Sequence, residues 1–473
     1  MKLSRLIAIT VCVAGLSAPL SVAQTVPCTE SELSTEDLRK KGAAFYNDCR
    51  YPEAVECFRL AAERGDVDAQ FYLGLCYYSG IGVEKDEVEA VKRFRLAAEQ
   101  GYTIALRSLG FCYAKGKGVK KDATEALRWY RLAAEQGDAK AQNCLGWYYE
   151  NGIGVEKDAT EAVRWYRLAA EQGEAIAQCN LGLCYNIGNG VAKDDEEAVK
   201  WFRKAAEQGD AKAQNRLGYC YKSGSGVEKD ATEAVRWYRL AAEQGDSIAQ
   251  CNLGVCYGFG EGVEKDLVEA AKWYRLAAEQ GHCDAQFNMG MCYYNGWGVE
   301  TNEPEAAKWF RLAAEQGEHR AQFNFGVFCD NGIGVSKNVT EALKWYRKSA
   351  EQGYIAAQLV MGTRYAMGAD LKKDMVEAVK WYRLAAEQGM AEAQLLLASC
   401  YSSGKGVEKD ATEAVKWYRL AAEQGLPQAQ YNLGVLYYNG EGVKRDFNKA
   451  KEWFLKAAAQ GDVSAKKVLR ERF

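Results

Sequence analysis

Hydrophobic and polar residues alternate with helical spacing along almost the whole chain. In residues 138–173, apolar side chains first recur at Ala141, Leu145 and Tyr149, which is the i, i+4, i+8 spacing of one helical face. The loop Gly152-Ile153-Gly154 then ends this first helix, because glycine reaches the positive φ values that a helix exit needs.

A second helix is predicted directly after that loop. Asp158 and Glu161 have the spacing of a capping box, and Gly173 is a helix-stop residue. Four side chains of this helix are predicted to point inward: Ala162, Trp165, Tyr166 and Ala169. Because short connections make consecutive helices antiparallel, the unit is predicted to be a helix hairpin.

The same two-helix unit recurs with a period of 36 residues. The segment Ala-Ala-Glu-Gln-Gly, or a close variant, ends at Gly65 and at every 36th residue up to Gly461, with no insertion or deletion. A globular enzyme has loops of varied length, whereas an unbroken period is typical of a solenoid. The predicted fold class is all-α: a right-handed superhelical α–α solenoid of about twelve helix hairpins, followed by a C-terminal capping helix over residues 463–473.

A glycine inside the first helix of each unit indicates close packing. Gly146 should cost about 1 kcal/mol relative to alanine in a helix interior. It nevertheless recurs at the same place in other units, and Ala398 is the one internal replacement. We therefore expect the second helix of the hairpin to approach the first at this glycine.

These motifs resemble those of a known repeat family. Leu145-Gly146 with Tyr149, then Val155, Glu161-Ala162 and the segment from Trp165 to Gly173 are similar to the Sel-one-like repeat, a branch of the tetratricopeptide superfamily. The resemblance covers residues 36–473, with a shorter loop in the first unit. It implies a helical-repeat fold and a role as an adaptor in protein assembly.

The N-terminus has the pattern of an export signal. Lys2 and Arg5 precede an apolar run over residues 6–16, and Ser21-Val22-Ala23 forms a small-x-small cleavage site. An uncleaved anchor is the alternative, but Gly, Ser and Pro interrupt the run before it reaches the length of a membrane span. We predict a signal peptide over residues 1–23, a linker over residues 24–35, and an exported protein, periplasmic or secreted, without a membrane span after cleavage.

Composition narrows the possible functions. The chain has 61 basic and 64 acidic residues, which gives no excess of cations for a nucleic-acid partner. It has two histidines, His282 and His319, both in predicted turns between hairpins, so a histidine-based metal site or triad is not expected. No cofactor is predicted.

Sixteen cysteines are present, and their positions separate them into groups. Seven share one register position: Cys76, Cys112, Cys184, Cys220, Cys256, Cys292 and Cys400. Equivalent positions of packed helices lie roughly 8–10 Å apart, too far for a disulfide, so these seven are predicted to be small buried residues. Cys49 and Cys57 flank the short loop of the first hairpin and are a possible disulfide; a pair of free thiols is the open alternative.

Two positions of the first helix vary strongly from unit to unit. One lies three residues before the interior glycine and the other one residue after it, so they share a helix face. In the tetratricopeptide stacks that the chain resembles, this face lines the concave groove. The candidate groove residues are Phe287, Phe323, Leu359, Leu395, Tyr431, Met291, Val327, Trp147 and Phe111.

The first of these positions is apolar in five successive units, from Phe287 to Tyr431. An exposed apolar stripe marks an interaction site, whereas side chains packed between neighbouring helices would be core. The sequence predicts a non-enzymatic scaffold that binds a protein or peptide in its groove. The alternatives are a cell-envelope hydrolase, which would need a cluster of convergent polar side chains, and a structural spacer.

Overall fold

The computed structural model describes residues 33–473, and all regular elements in this range are α-helices. The chain divides into two compact units, the first ending at Asp230 and the second beginning at Ala231. The predicted all-α class is confirmed. The predicted signal peptide, and most of the predicted linker, lie outside the described residues and stay predictions.

The first unit contains eleven described helices. They are α1 (Thr35–Asn47), α2 (Tyr51–Glu63), α3 (Val67–Ser79), α4 (Glu87–Glu99), α5 (Thr103–Lys115), α6 (Ala123–Glu135), α7 (Ala139–Asn151), α8 (Ala159–Glu171), α9 (Ala175–Ile187), α10 (Asp195–Glu207) and α11 (Ala211–Ser223). Odd-numbered helices open a hairpin and are called A-helices, and even-numbered helices close it and are called B-helices. Three residues join α1 to α2, whereas seven join α3 to α4.

The second unit continues the alternation. It contains α12 (Ala231–Glu243), α13 (Ser247–Phe259), α14 (Leu267–Glu279), α15 (Cys283–Asn295), α16 (Glu303–Glu315), α17 (His319–Asn331), α18 (Val339–Glu351), α19 (Ile355–Met367), α20 (Met375–Glu387), α21 (Ala391–Ser403), α22 (Ala411–Glu423), α23 (Pro427–Asn439), α24 (Phe447–Ala459) and α25 (Val463–Arg472). The helix α25 occupies the A-helix position and packs on α24.

Helix boundaries follow the predicted turn chemistry, with one difference. Gly152 ends α7 in the left-handed region at φ 66°, and Asp158 caps α8 by accepting hydrogen bonds from the amides of Thr160 and Glu161. The reciprocal half of the capping box does not form, because the Asp158 amide donates instead to the carbonyl of Tyr149, at 3.0 Å. That bond ties the start of the B-helix to the preceding A-helix.

The interior glycine allows the two helices of a hairpin to touch. A Cβ placed on Gly146 would lie 2.7 Å from Cδ1 of Tyr166 and 3.1 Å from the carbonyl oxygen of Ala162. The B-helix side chains Ala162, Trp165, Tyr166 and Ala169 are all buried, as predicted. The aromatic ring that covers this position therefore favours glycine, and in one unit it tolerates alanine, the buried Ala398.

A buried glutamine ladder links consecutive hairpins. Nε2 of Gln142 donates to the carbonyl of Ala134 at 3.1 Å, and its Oε1 accepts from Nε2 of Gln172 at 2.7 Å. The same pair of bonds recurs at Gln178 with Ala170 and Gln208. Because each glutamine contacts the helix before it and the helix after it, the ladder sets the register of the stack.

Candidate functional site

The predicted groove residues all lie on A-helices, at two positions. Phe287, Phe323, Leu359, Leu395 and Tyr431 are each the fifth residue of an A-helix, and all five are half-buried. The ring of Phe323 packs on the ring of Tyr354, which precedes the next A-helix. The fifth position therefore contributes to packing between hairpins as well as to the A-helix face.

The same lateral contact recurs in the first unit, once as an aromatic pair and once as an ion pair. Phe71 packs on Tyr102 with 5.4 Å between ring centroids, and Nε of Arg107 pairs with a carboxylate oxygen of Asp138 at 3.1 Å. In these pairs the fifth residue of one A-helix contacts the residue that precedes the next A-helix. The sequence comparison, which treated each position by itself, missed this pairing.

The ninth position of the A-helices differs between the two units. In the first unit Phe111 is exposed and Trp147 is 46% exposed, and Tyr219, which the candidate groove residues did not include, is 57% exposed. In the second unit Met291 and Val327 are half-buried. At this position the first unit therefore carries exposed aromatic side chains, whereas Met291 and Val327 of the second unit are smaller or aliphatic and half-buried.

The second unit contains a cleft of about 720 Å³ between α13 and α15. Its α13 wall includes the small side chains Cys251 and Val255 together with Gly258, and its α15 wall includes Phe287 and Met291. Tyr274 of α14 contributes to the floor. Two predicted groove residues, Phe287 and Met291, therefore line this cleft, and Phe323, Leu359, Leu395 and Tyr431 are not part of its lining.

The cleft depends on Gly258. A Cβ at this position would meet the hydroxyl of Tyr274 at 3.5 Å and otherwise only the Ala270 side chain within 4 Å. Other units carry side chains at this place, such as Tyr294 and Tyr438. Sequence reasoning missed Gly258, although its departure from those larger residues is visible when the repeats are compared.

Charged groups stand at one end of the cleft. The guanidinium of Arg320 lies 4.4 Å from the ring centroid of Phe287 and pairs with Asp284 at 2.7 Å and with Glu318 at 2.6 Å. Burial opposes the charge of Arg320, but the bonds to the two carboxylates outweigh it and raise its pKa. Burial also raises the pKa of Tyr274, so its hydroxyl stays protonated and can donate a hydrogen bond.

The two histidines have structural contacts. Nδ1 of His282 accepts a hydrogen bond from the amide of Ala285 and so caps α15, and the ring of His319 packs on Tyr354. Within residues 33–473, no group of three or more His, Cys, Asp and Glu side chains is placed to hold a metal ion. None of the helices described over that range has the length and apolar character needed to cross a bilayer.

The seven cysteines at the shared register position are all buried, as predicted. Burial raises the pKa of the Cys112 thiol to about 12 and that of Cys292 to about 11. Cys49 is exposed in the loop after α1, at φ 61°, and Cys57 is buried on α2. The disulfide between them stays a prediction.

Comparison with known proteins identifies the repeat. The Sel1 repeat matches the chain twelve times in unbroken succession, from residue 50 to residue 462. A comparison with curated proteins found no match.

Two solved structures share the fold at substantial sequence identity. The protective antigen c5321 of uropathogenic Escherichia coli, which displays an SLR fold, is 40% identical with a TM-score of 0.73, and the match covers 89% of this chain and 91% of that one. A Sel1 repeat protein from Oxalobacter formigenes is 33% identical with a TM-score of 0.50, over 65% of this chain and 89% of that one. With twelve consecutive repeats over most of its length, this chain belongs to the Sel1 repeat family.

Proposed function

We propose that the protein is an exported, non-enzymatic scaffold that binds a segment of a partner protein or peptide on its A-helix face. The observation that carries the proposal is the cleft between α13 and α15, into which large apolar side chains of a partner can insert. Clefts lined mainly by apolar side chains, with a few polar groups that fix orientation, are the usual form of a binding site.

The side chains around this cleft offer different kinds of contact to a bound segment. Phe287 and Met291 supply apolar contact area, while Tyr274 and Asn288 supply groups that can hydrogen-bond to a peptide backbone. Arg320 is held over Phe287 by its two carboxylates and closes one end. The geometry therefore favours a short apolar segment of a partner over an extended polar one.

Export is supported by the signal pattern at residues 1–23 and by the E. coli relative, whose description as a protective antigen fits a protein that antibodies reach. N-terminal sequencing of the protein recovered after expression in a bacterial host tests it. The expected mature N-terminus is Gln24. A mature protein that still begins at Met1 would contradict export by this signal.

Binding is tested by filling the cleft. Val255→Phe places a ring in the cleft, and Val435→Phe makes the same change at the equivalent, half-buried position of α23. Peptides are first selected from a random displayed library on the parent protein. We expect Val255→Phe to weaken their binding by about tenfold or more, and Val435→Phe to change it by less than about twofold.

Two results would contradict the proposal. Equal binding to the parent and to both variants would show that the cleft is not the site. Failure of the parent protein to select any peptide would remove the basis for a peptide-binding role and favour the structural-spacer alternative.

A further inference from the structure

The A-helices α5, α7, α9 and α11 present one face whose charge is opposite to that of the whole chain. On each helix, the second, sixth, ninth and thirteenth residues follow the i, i+4, i+7, i+11 spacing of a single face. All charged residues at these positions are cations: Lys115, Lys140, Lys212 and Arg216. The formal net charge of the chain is −3.

These cations are available to a partner. All four are exposed, and no carboxylate among residues 33–473 lies within 4.0 Å of their charged nitrogens. Asp138, Glu174 and Asp210, the acids that directly precede α7, α9 and α11, accept hydrogen bonds from backbone amides at those helix N-termini, at 2.6–2.8 Å. Their charge is directed to the helix ends, where the helix dipole favours it.

The same face is otherwise largely apolar. Its large apolar side chains include Trp147 at 46% exposed, Ile187 at 65% and Tyr219 at 57%. Phe111 and Ile176 are also exposed, and Leu183 is half-buried. Exposed apolar side chains of this size, repeated along one face, mark an interaction site.

The second unit has no such cationic face among its described residues. The equivalent positions of α13, α15, α17, α19, α21 and α23 carry three charged residues, Asp284, Arg320 and Glu392. Asp284 and Arg320 are paired with each other at 2.7 Å. The positive charge is therefore a property of the A-helices α5, α7, α9 and α11 and not of the repeat, since α1 and α3 also carry acids, Glu36 and Asp68, at the equivalent positions.

We infer that the A-helix face of α5–α11 binds an acidic polypeptide segment that also carries aromatic or aliphatic side chains. The inference rests on the proposed scaffold function and names the partner class for a second surface. Arg216 and Tyr219 stand one helical turn apart, and Lys140 and Trp147 stand two turns apart, roughly 10 Å along the axis. An occupant must therefore offer carboxylates and apolar side chains at alternating short intervals, as a polypeptide does.

A polyphosphate partner fits this face less well. Four cations among mostly apolar side chains neutralise few phosphates, and the net negative charge of the chain opposes a uniformly anionic polymer. The apolar side chains would then remain exposed to water in the complex. A partner that carries both carboxylates and apolar groups can pair with the cations and cover the apolar side chains of this face.

The test compares three fluorescein-labelled peptides of equal length in which Leu and Phe alternate with Glu, with Gln or with Lys. Binding to the full mature chain is measured by fluorescence anisotropy. We expect the Glu peptide to bind about tenfold more tightly than the Gln peptide, to lose affinity as salt is raised, and to outcompete the Lys peptide.

Charge reversal locates the site. The double variant Lys140→Glu with Lys212→Glu should lower the affinity for the Glu peptide by about tenfold. The control, Lys157→Glu with Lys229→Glu, changes the net charge equally but at exposed loop positions, and it should alter the affinity by less than about twofold. Circular dichroism confirms that both variants remain helical.

Three results would overturn the inference. In the first, the Glu and Gln peptides bind with equal affinity. In the second, the two double variants change the affinity equally. In the third, phosphatidylglycerol vesicles or a single-stranded oligonucleotide bind in a charge-dependent way and the Glu peptide does not. If peptides bind without preference for acid while Val255→Phe still weakens selected peptides, this inference fails and the proposed function stands. If neither surface binds any peptide, both fail.

Discussion

The ring of Phe323 packs on the ring of Tyr354, with 5.3 Å between their centroids. Tyr354 precedes α19 and makes no side-chain hydrogen bond to cap it. Three other A-helices also lack such a bond, and they follow Tyr102, Met390 and Leu426. In all four cases the fifth residue of the preceding A-helix is large and apolar: Phe71, Phe323, Leu359 and Leu395. Apolar packing thus takes the place of the cap.

If apolar packing takes the place of the cap, Phe323 and Tyr354 should be coupled in their effects on the free energy of unfolding. In a double-mutant cycle with alanine at both positions, we expect a coupling of about 1 kcal/mol in the free energy of unfolding, because tilted aromatic pairs contribute this much beyond their buried area. Urea denaturation followed by circular dichroism measures it. The control cycle pairs Phe287 with Tyr354, which belong to hairpins that are not adjacent, and should couple by less than about 0.5 kcal/mol. Similar coupling in both cycles would contradict the lateral pairing.

Two helical glycines should respond in opposite directions to alanine. Gly146→Ala drives a Cβ into the Tyr166 ring and should destabilise the fold by about 1–3 kcal/mol. Gly258→Ala meets atoms only at 3.5 Å or more and should stabilise α13 by about 0.5–1 kcal/mol through helix propensity. The melting temperature of each variant is compared with that of the parent, and it should fall for Gly146→Ala and rise for Gly258→Ala. A loss of stability in both would show that Gly258 also serves close packing.

The glutamine ladder predicts a penalty for removing a single amide. Gln178→Leu leaves Nε2 of Gln208 without its acceptor and removes one hydrogen bond to the carbonyl of Ala170, which still accepts from the Gly173 amide. Unfolding should therefore become easier by about 1–3 kcal/mol. The exposed Gln428 provides the control, and its change to leucine should alter stability by less than about 0.5 kcal/mol. Equal small effects would mean that leucine packing compensates for the lost bonds, as at Leu106, where the first unit already interrupts the ladder.

The buried thiols make stability depend on alkaline pH. Burial raises the pKa of Cys76, Cys112 and Cys184 from the ordinary value of 9 to about 12. The unfolded chain therefore releases these protons first. Their contribution is fully present below about pH 9 and is lost as the pH rises toward 12.

A pH series of melting temperatures in the presence of reductant measures this effect. Between pH 9 and pH 12 the parent should lose stability more steeply than a variant with alanine at these three positions. Replacement of the exposed Cys49 should leave the slope unchanged. A slope that is identical in all three proteins would contradict the assignment to buried thiols.

Much of the fold could be predicted because the chain repeats one type of helix hairpin twelve times. A glycine that recurs inside a helix against its own propensity, as Gly146 does, indicates a close contact between helices from the sequence alone. Likewise, the seven cysteines at one register position had to share one environment, and that environment is the core.

The cleft could not be predicted from the repeat alone. Its depth depends on side chains from three helices, with Gly258 removing bulk from α13, Phe287 forming the α15 wall and Tyr274 lying beneath. The pairing of Phe323 with Tyr354 was missed for a related reason. Comparison of repeats considers one position at a time, whereas this contact joins two different positions that are 31 residues apart.

The most direct test of the scaffold account is to place a photo-crosslinking amino acid at Met291, inside the cleft, and at Leu312, on the exposed side of α16. Each protein is irradiated with a peptide selected by the parent, and the crosslinked product is quantified by mass spectrometry. If the cleft binds the partner segment, we expect capture of the peptide from position 291 and little or none from position 312. Equal capture at both positions, or capture from position 312 alone, would contradict it.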